Sequence, residues 1–175
     1  KNSPQMELNS IFSFNSSMPL EKIDQNYHSF LTPNASFRIN PGDMKNYSSS
    51  KRIINTDNIF EINRLGLNDS FEAGKSLTMG INYRKTSLKD INNYFETKIS
   101  TVIRDKKESF IPESSTINNK NSNIFGSINY VPNKNFNVDY DFIMDNDFNT
   151  FNFNSLSSEL KFKNFSTEIK FIEEN

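Results

Sequence analysis

The side chains best able to do chemistry are few. His28 is the single histidine, so a Ser-His-Asp triad or an imidazole zinc site would have to be built on it alone. It reads instead as a polar side chain at a strand start. Asp139, Asp141, Asp145 and Asp147 form an acidic run of the kind that hard cations and glycosidic cleavage both use. An EF-hand opened by Asp145-Asn146-Asp147 would need Gly at its sixth position and Glu at its twelfth, where Thr150 and Leu156 stand. The motif fails. No GxGxxG, Walker A, HExxH or GxSxG arrangement occurs, and cysteine is absent, so neither a disulfide nor a thiolate metal site is available. The chain is expected to be no enzyme and to hold no cofactor and no metal.

The elements that would carry these residues are strands. Apolar residues at helical spacing are hard to find, whereas period-2 alternation recurs all along the chain. Phe136, Val138, Tyr140, Phe142 and Met144 share one face, with Asn137, Asp139, Asp141 and Asp145 on the other, and only Ile143 breaks the rule. Leu77 to Tyr83 and Phe95 to Ile103 repeat the pattern. Ile124 to Tyr130 is weaker, because Phe125 lies on the polar side. A strand with aromatics on one side and carboxylates on the other faces two solvents, either lipid and a wet lumen or core and water.

Near the end, Phe162 and Phe165 flank the two-residue turn Lys163-Asn164, which keeps the apolar residues of both strands on one face. A five-residue connection, Val131 to Asn135, is predicted to set Tyr130 opposite Phe136. Phe151 and Phe153 have the opposite parity to Leu156, which predicts a β-bulge near Asn154-Ser155 or a later strand start. Tyr27 to Ile39 reads as a strand interrupted by Pro33, and Glu7 to Phe14 as a fainter one. Glu159, Lys161, Glu168 and Lys170 share the polar parity of adjacent strands, where cross-strand ion pairs are expected. Asn118, Asn119, Asn121 and Asn123 mark a mobile polar loop.

Apolar residues make up 34% of the chain, low for a soluble globule, yet there are 17 Phe and the net charge is only -1. Disorder would favour few aromatics and high charge. No basic patch suggests nucleic acid as a partner. No apolar run is long enough for a transmembrane helix, which leaves transmembrane strands of about 9–11 residues. The connections alternate between long, around Gly42 to Asp69 and Asp105 to Ser122, and short. Outer-membrane barrels have that asymmetry, and compact soluble domains seldom carry such long structureless loops. On this reading Asp139, Asp141, Glu159 and Lys161 are lumen-facing polar residues. The start at Lys1-Asn2-Ser3-Pro4 shows no initiator Met and no secretory leader, so a fragment is expected.

The segment from Asn58 to Gly74, closing on Gly80-Ile81-Asn82-Tyr83, resembles the LptD family of lipopolysaccharide-assembly proteins. There an Asn-Arg, a Gly, an Asp-Arg and an acidic residue precede a strand ending in Gly-x-x-Tyr. Asn63, Arg64, Gly66, Asp69 and Glu72 match; Ser70 stands where the family usually has Arg. Leu31-Thr32-Pro33 is similar to an upstream family element. The resemblance implies an antiparallel transmembrane β-barrel segment of about eight strands in a meander, with residues 1–175 forming part of a single outer-membrane barrel domain whose periplasmic domain lies outside the segment. It also implies a bacterial outer-membrane location and lipopolysaccharide transport and assembly. Lipopolysaccharide, an LptE-like plug lipoprotein, periplasmic Lpt bridge proteins and outer-membrane lipids are the implied partners. The motif residues are expected to hold an extracellular loop in place, with Arg64 partnering a carboxylate. These residues would be an internal arc of wall, carrying neither the lipid exit seam nor the plug. Two alternatives stay open: a complete eight-stranded barrel serving as a structural protein or adhesin, and a soluble β-sandwich binding sugar or protein.

Overall fold

Alternation builds the strands, and the register between them sorts their side chains onto two faces. The computed structural model describes residues 10–174. They form an all-β meander: β1 (Phe12–Ser17), β2 (Leu20–Ile23), β3 (Tyr27–Asn40), β4 (Gly74–Ser87), β5 (Tyr94–Arg104), β6 (Ile124–Asn133), β7 (Phe136–Met144), β8 (Phe151–Phe162) and β9 (Phe165–Glu174), with one 3-10 turn at Glu113–Ser115. Every strand pair is antiparallel, in the order β1-β3-β4-β5-β6-β7-β8-β9, with β2 also on β3. β1 and β2 lie end to end in one register, so the expected strand count holds when they are taken as one broken strand. Among the described residues no ladder joins β9 to β1 or β2. The sheet is an open arc of barrel wall.

The two faces have the polarity of a membrane barrel. The outward face carries Phe14, Phe37, Met79, Ile81, Ile99, Leu160, Phe162, Ile169 and Phe171, all exposed. Nothing among the described residues covers them, as expected of a surface whose solvent is lipid. On the inner face successive rows read Arg38–Ser76–Arg104, then Ser36–Thr78–Val102, then Asn34–Gly80–Ser100–Phe125–Ile143–Phe153. The long connections, residues 41–73 and 105–123, leave the same end of the sheet; the turns at 88–93, 134–135 and 163–164 lie at the other.

Both long connections fold back over the inner face. Met44, Ile54, Ile59, Leu65 and Ala73 from the first, and Ile111 and Ile117 from the second, bury themselves against Val102, Phe125 and Ile143 of the wall. Fully burying one such aliphatic side chain contributes about 1.5–3 kcal/mol. Phe60 enters where Gly80 leaves room: a Cβ there would stand 3.0 Å from the Phe60 ring and 3.1 Å from the Ile99 carbonyl. The connections are also tied to each other, Tyr47 N–H to the Phe110 carbonyl at 2.9 Å and Arg52 N–H to Ser114 Oγ at 2.9 Å.

Several sequence expectations need correction. β6 continues to Asn133, the turn is Lys134-Asn135, and Tyr130 faces Val138 rather than Phe136 because the register shifts between Tyr130 and Asn133. β8 starts at Phe151 and its bulge is at Asn152, since Met144 faces Phe151 while Ile143 faces Phe153. Pro33 does not interrupt β3. Its carbonyl accepts from Met18 N at 3.1 Å, and in an antiparallel pair a residue's N–H and carbonyl face the same neighbour, so the missing donor falls on the side of the edge strand. The break occurs there, at Met18-Pro19. The segment from Asn118 to Asn123, expected as a mobile loop, packs against the wall: Asn118 and Ser122 are buried, and Ser122 Oγ accepts from Val102 N at 2.9 Å. Of the faint strand at Glu7 to Phe14, residues 7–9 lie outside the described residues, and pairing begins at Phe12.

Candidate functional site

The motif residues converge where residues 41–73 meet the wall. Asn63 closes a turn with both ends of its amide: Oδ1 accepts from Leu67 N at 3.2 Å and Nδ2 donates to the Leu67 carbonyl at 2.8 Å. Gly66 donates to the Asn63 carbonyl at 2.8 Å and sits at φ 63°, a left-handed conformation that costs glycine little. That turn aims Arg64 inward. Its side chain, 1% exposed, donates from Nε and Nη2 to the two oxygens of Glu72 at 2.6 Å each, a bidentate pair, and from Nη1 to Thr78 Oγ1 at 2.8 Å.

Glu72 is a shared acceptor. Arg104 of β5 also binds it, Ser76 of β4 donates to it at 3.3 Å, and Arg38 of β3 stands in the same cluster, donating to the Ile59 and Glu61 carbonyls at 3.3 and 2.6 Å. Three guanidiniums thus surround one buried carboxylate. Burial alone would raise the Glu72 carboxyl, but the fields of Arg64, Arg104 and Arg38 prevail and hold it at about 2. The cluster locks the loop to three successive strands.

Asp69 lies outside this lock. Its carboxylate, half exposed, binds Lys45 Nζ at 2.8 Å and the Tyr47 hydroxyl, and the Lys45 bond holds its pKa below the ordinary carboxylate value. Ser70, where the family usually has Arg, is buried and accepts from Lys45 N at 3.1 Å. So Asn63, Arg64, Gly66 and Glu72 act on one buried site, and Asp69 fastens the loop's outer rim.

The other sequence candidates form a separate polar strip on the inner face of β6 to β8. Asp139 accepts from Asn137 Nδ2 at 2.6 Å and from Asn129, and Asp141 faces Ser127 and Ser155. Glu159 pairs with Lys161 at 2.9 Å along its own strand. The expected cross-strand ion pairs do not form: Glu159 faces Glu168, Lys161 faces Ser166 and Lys170 faces Ser157. Asp145 caps its own turn through Asn149 N and Thr150 Oγ1 at 2.8 and 2.7 Å. His28 bonds Glu21 of β2 at 2.7 Å. Among the described residues no group of three or more His, Cys, Asp or Glu could hold a metal.

Arg38, Arg104, Ser76 and Thr78 escaped sequence reasoning, although each has polar parity beside a long connection. Counting register outward from the loop ends would have found the first two with Ser76 in one row.

The family described as LptD, LPS transport system D, matches residues 2–171. The chain belongs to the LptD family. A search among curated proteins returns no significant match. LptD proteins are outer-membrane proteins of lipopolysaccharide transport and assembly, a transport family and not an enzyme family, and the β-rich arc with its apolar exterior fits that setting. At this level the chain's role is lipopolysaccharide transport.

Proposed function

We propose that residues 1–175 are part of one LptD barrel domain and form wall and inward-folded loops of the lipopolysaccharide translocon. The observation that carries this reading is the inverted polarity of the sheet, apolar outside and, apart from Val102, Phe125, Ile143 and Phe153 beneath the long connections, largely polar inside, in a chain of this family. Asp139, Asp141, Glu159 and Lys161 would then face the lumen as part of a wet wall beside the folded loops. Asn63, Arg64, Gly66, Asp69 and Glu72 serve structure rather than lipid phosphate: Arg64 has a carboxylate, a hydroxyl and no exposed surface to offer a ligand. Lipopolysaccharide, an LptE-like plug lipoprotein and periplasmic Lpt bridge proteins are the proposed partners.

Photoreactive residues placed at Asp139, Asp141 and Arg64 of the full-length protein in its own membrane test the proposal. Lipopolysaccharide adducts are expected from the first two and not from the third. Adducts from Arg64 alone would refute the assignment of roles.

A further inference from the structure

At the short-turn end of the outward face one row differs in chemistry from its neighbours. β2, β3 and β4 bring Lys22, Ser29 and Lys85 side by side there. Leu20, Leu31 and Tyr83 form the next row toward the middle of the sheet, and Tyr27 stands in the next row toward the turns. Outer-membrane barrels keep their short turns on the periplasmic side and ring the outward face with aromatics where headgroups begin. Tyr27 and Tyr83 therefore set Lys22 and Lys85 at the headgroup level of the periplasmic leaflet. Beyond Lys85 the same row turns apolar, with Phe95, Tyr130 and Val138. Among the described strands Lys75 is the other lysine of outward parity, and it lies at the opposite end of β4.

Lys22, Ser29 and Lys85 line a groove of about 310 Å³ together with Leu20, Leu31 and Tyr83. That volume is within the roughly 300–1,000 Å³ of ligand sites. The two lysines are two strand spacings apart, about 10 Å, with only a serine between them, so their flexible stems can bring both ammoniums to one anion. Lys85 Nζ stands 4.1 Å from the centre of the Tyr27 ring rather than on a carboxylate. Asp24, the acid at the groove mouth, is held by its own turn, accepting from Asn26 N and Tyr27 N at 3.0 and 2.8 Å, and the lysines reach it only through space. Glu21 has the opposite parity and bonds His28 at 2.7 Å. Two ammoniums against one carboxylate leave a single positive charge. A phosphodiester under a neutral headgroup carries the one negative charge that balances it, whereas a phosphate under an ammonium headgroup does not.

We infer that this groove holds one anionic glycerophospholipid of the periplasmic leaflet, its phosphate between Lys22 and Lys85 over Ser29 and an acyl chain along Leu20 and Leu31. The site is distinct from the lumen and rests on the sheet being barrel wall with its outward face in lipid. Full-length protein purified in mild detergent, mixed with phosphatidylglycerol or phosphatidylethanolamine and analysed by native mass spectrometry, tests it. Wild type should bind about one phosphatidylglycerol, about tenfold more tightly than phosphatidylethanolamine. Lys22→Gln and Lys85→Gln should each weaken that binding several-fold and Ser29→Phe, which fills the gap between them, about tenfold, while Lys75→Gln should leave it unchanged. Inorganic phosphate at the same concentration should not displace the lipid, because the leucines also hold its chain. Heat-modifiable gel migration reports that each variant is folded. Equal binding of the two lipids, full binding in folded Lys22→Gln and Lys85→Gln, equal loss in Lys75→Gln, or displacement by inorganic phosphate would each overturn the inference. Wild type that is soluble without detergent would overturn the membrane reading itself.

Discussion

Replacing Glu72 by Gln asks how much one carboxylate contributes to keeping the loops on the wall. Glu72 accepts both Arg64 nitrogens at 2.6 Å, binds Arg104 and lies within the field of Arg38. Gln preserves the shape, yet it offers one acceptor in place of two and turns an N–H2 group toward a guanidinium. Among the described residues Glu72 is the only carboxylate ion-paired with Arg64 and Arg104. Breaking a buried pair by removing one partner costs about 3–5 kcal/mol. The pKa leads to a similar figure: a fall from 4.5 to about 2 corresponds to about 3 kcal/mol. The strand ladders do not depend on Glu72, so the loss should be local, an opening of residues 41–73. Hydrogen exchange on the detergent-purified full-length protein reads it. The amides of Ile59 and Gly66, bonded to the Asn55 and Asn63 carbonyls, should exchange about a hundredfold faster, with β7 to β9 unchanged. Exchange within threefold of wild type at both amides would show that the arginine cluster does not hold the loop.

The same carboxylate fixes a pH dependence. A depressed folded pKa contributes stability that is full above the unfolded value of 4.5 and is lost as pH falls through about 2, so protection of residues 59–72 should be flat from pH 7 to 5 and decline below 4.5. In Glu72→Gln that decline should vanish. Gly126→Ala should destabilise the refolded barrel by about 1–3 kcal/mol in urea titration, because its methyl would overlap the Phe142 ring lying across it on the outward face. Gly66→Ala should cost about 1–2 kcal/mol in local opening of the 63–67 turn, read by the same exchange experiment, since φ 63° disfavours a Cβ. Lys98→Ala should cost under about 1 kcal/mol, its bond to Asp57 being a partly exposed ion pair.

The strands were legible because each has one face in lipid and one in a polar interior, and that contrast writes itself into every second residue. Phe136 to Met144 and Phe165 to Phe171 show it most clearly. Turns were less legible. A two-residue hairpin such as Lys163-Asn164 keeps parity and can be counted, whereas the bulge before Lys134-Asn135 adds one residue to β6 without leaving a composition signal. The lock on Glu72 was half visible. Arg64 and Glu72 stand in one motif, but Arg104 comes from a strand beyond the next turn, and its approach depends on a register that no local pattern encodes.

The apparent failures of alternation have a single cause. Ile143 breaks the pattern of β7, Phe125 that of β6, and Phe153 has the wrong parity for β8. The register puts all three in one inner row, with Phe125 1% exposed and Ile143 buried. Apolar side chains on a wet wall would be unfavourable, so each misplaced residue marks where something dry must rest against it. Ile54, Ile59, Ile111 and Ile117 from the two long connections rest there. A polar substitution such as Phe125→Asp should therefore release both connections from the wall while leaving the outward face intact. It would bury an unpaired carboxylate against those isoleucines, at a cost above that of losing the ring alone. Limited proteolysis within residues 41–73 and 105–123, set against unchanged heat-modifiable migration, separates that outcome from collapse of the barrel. Protection equal to wild type at both connections would mean that they are held by Glu72 and its arginines alone.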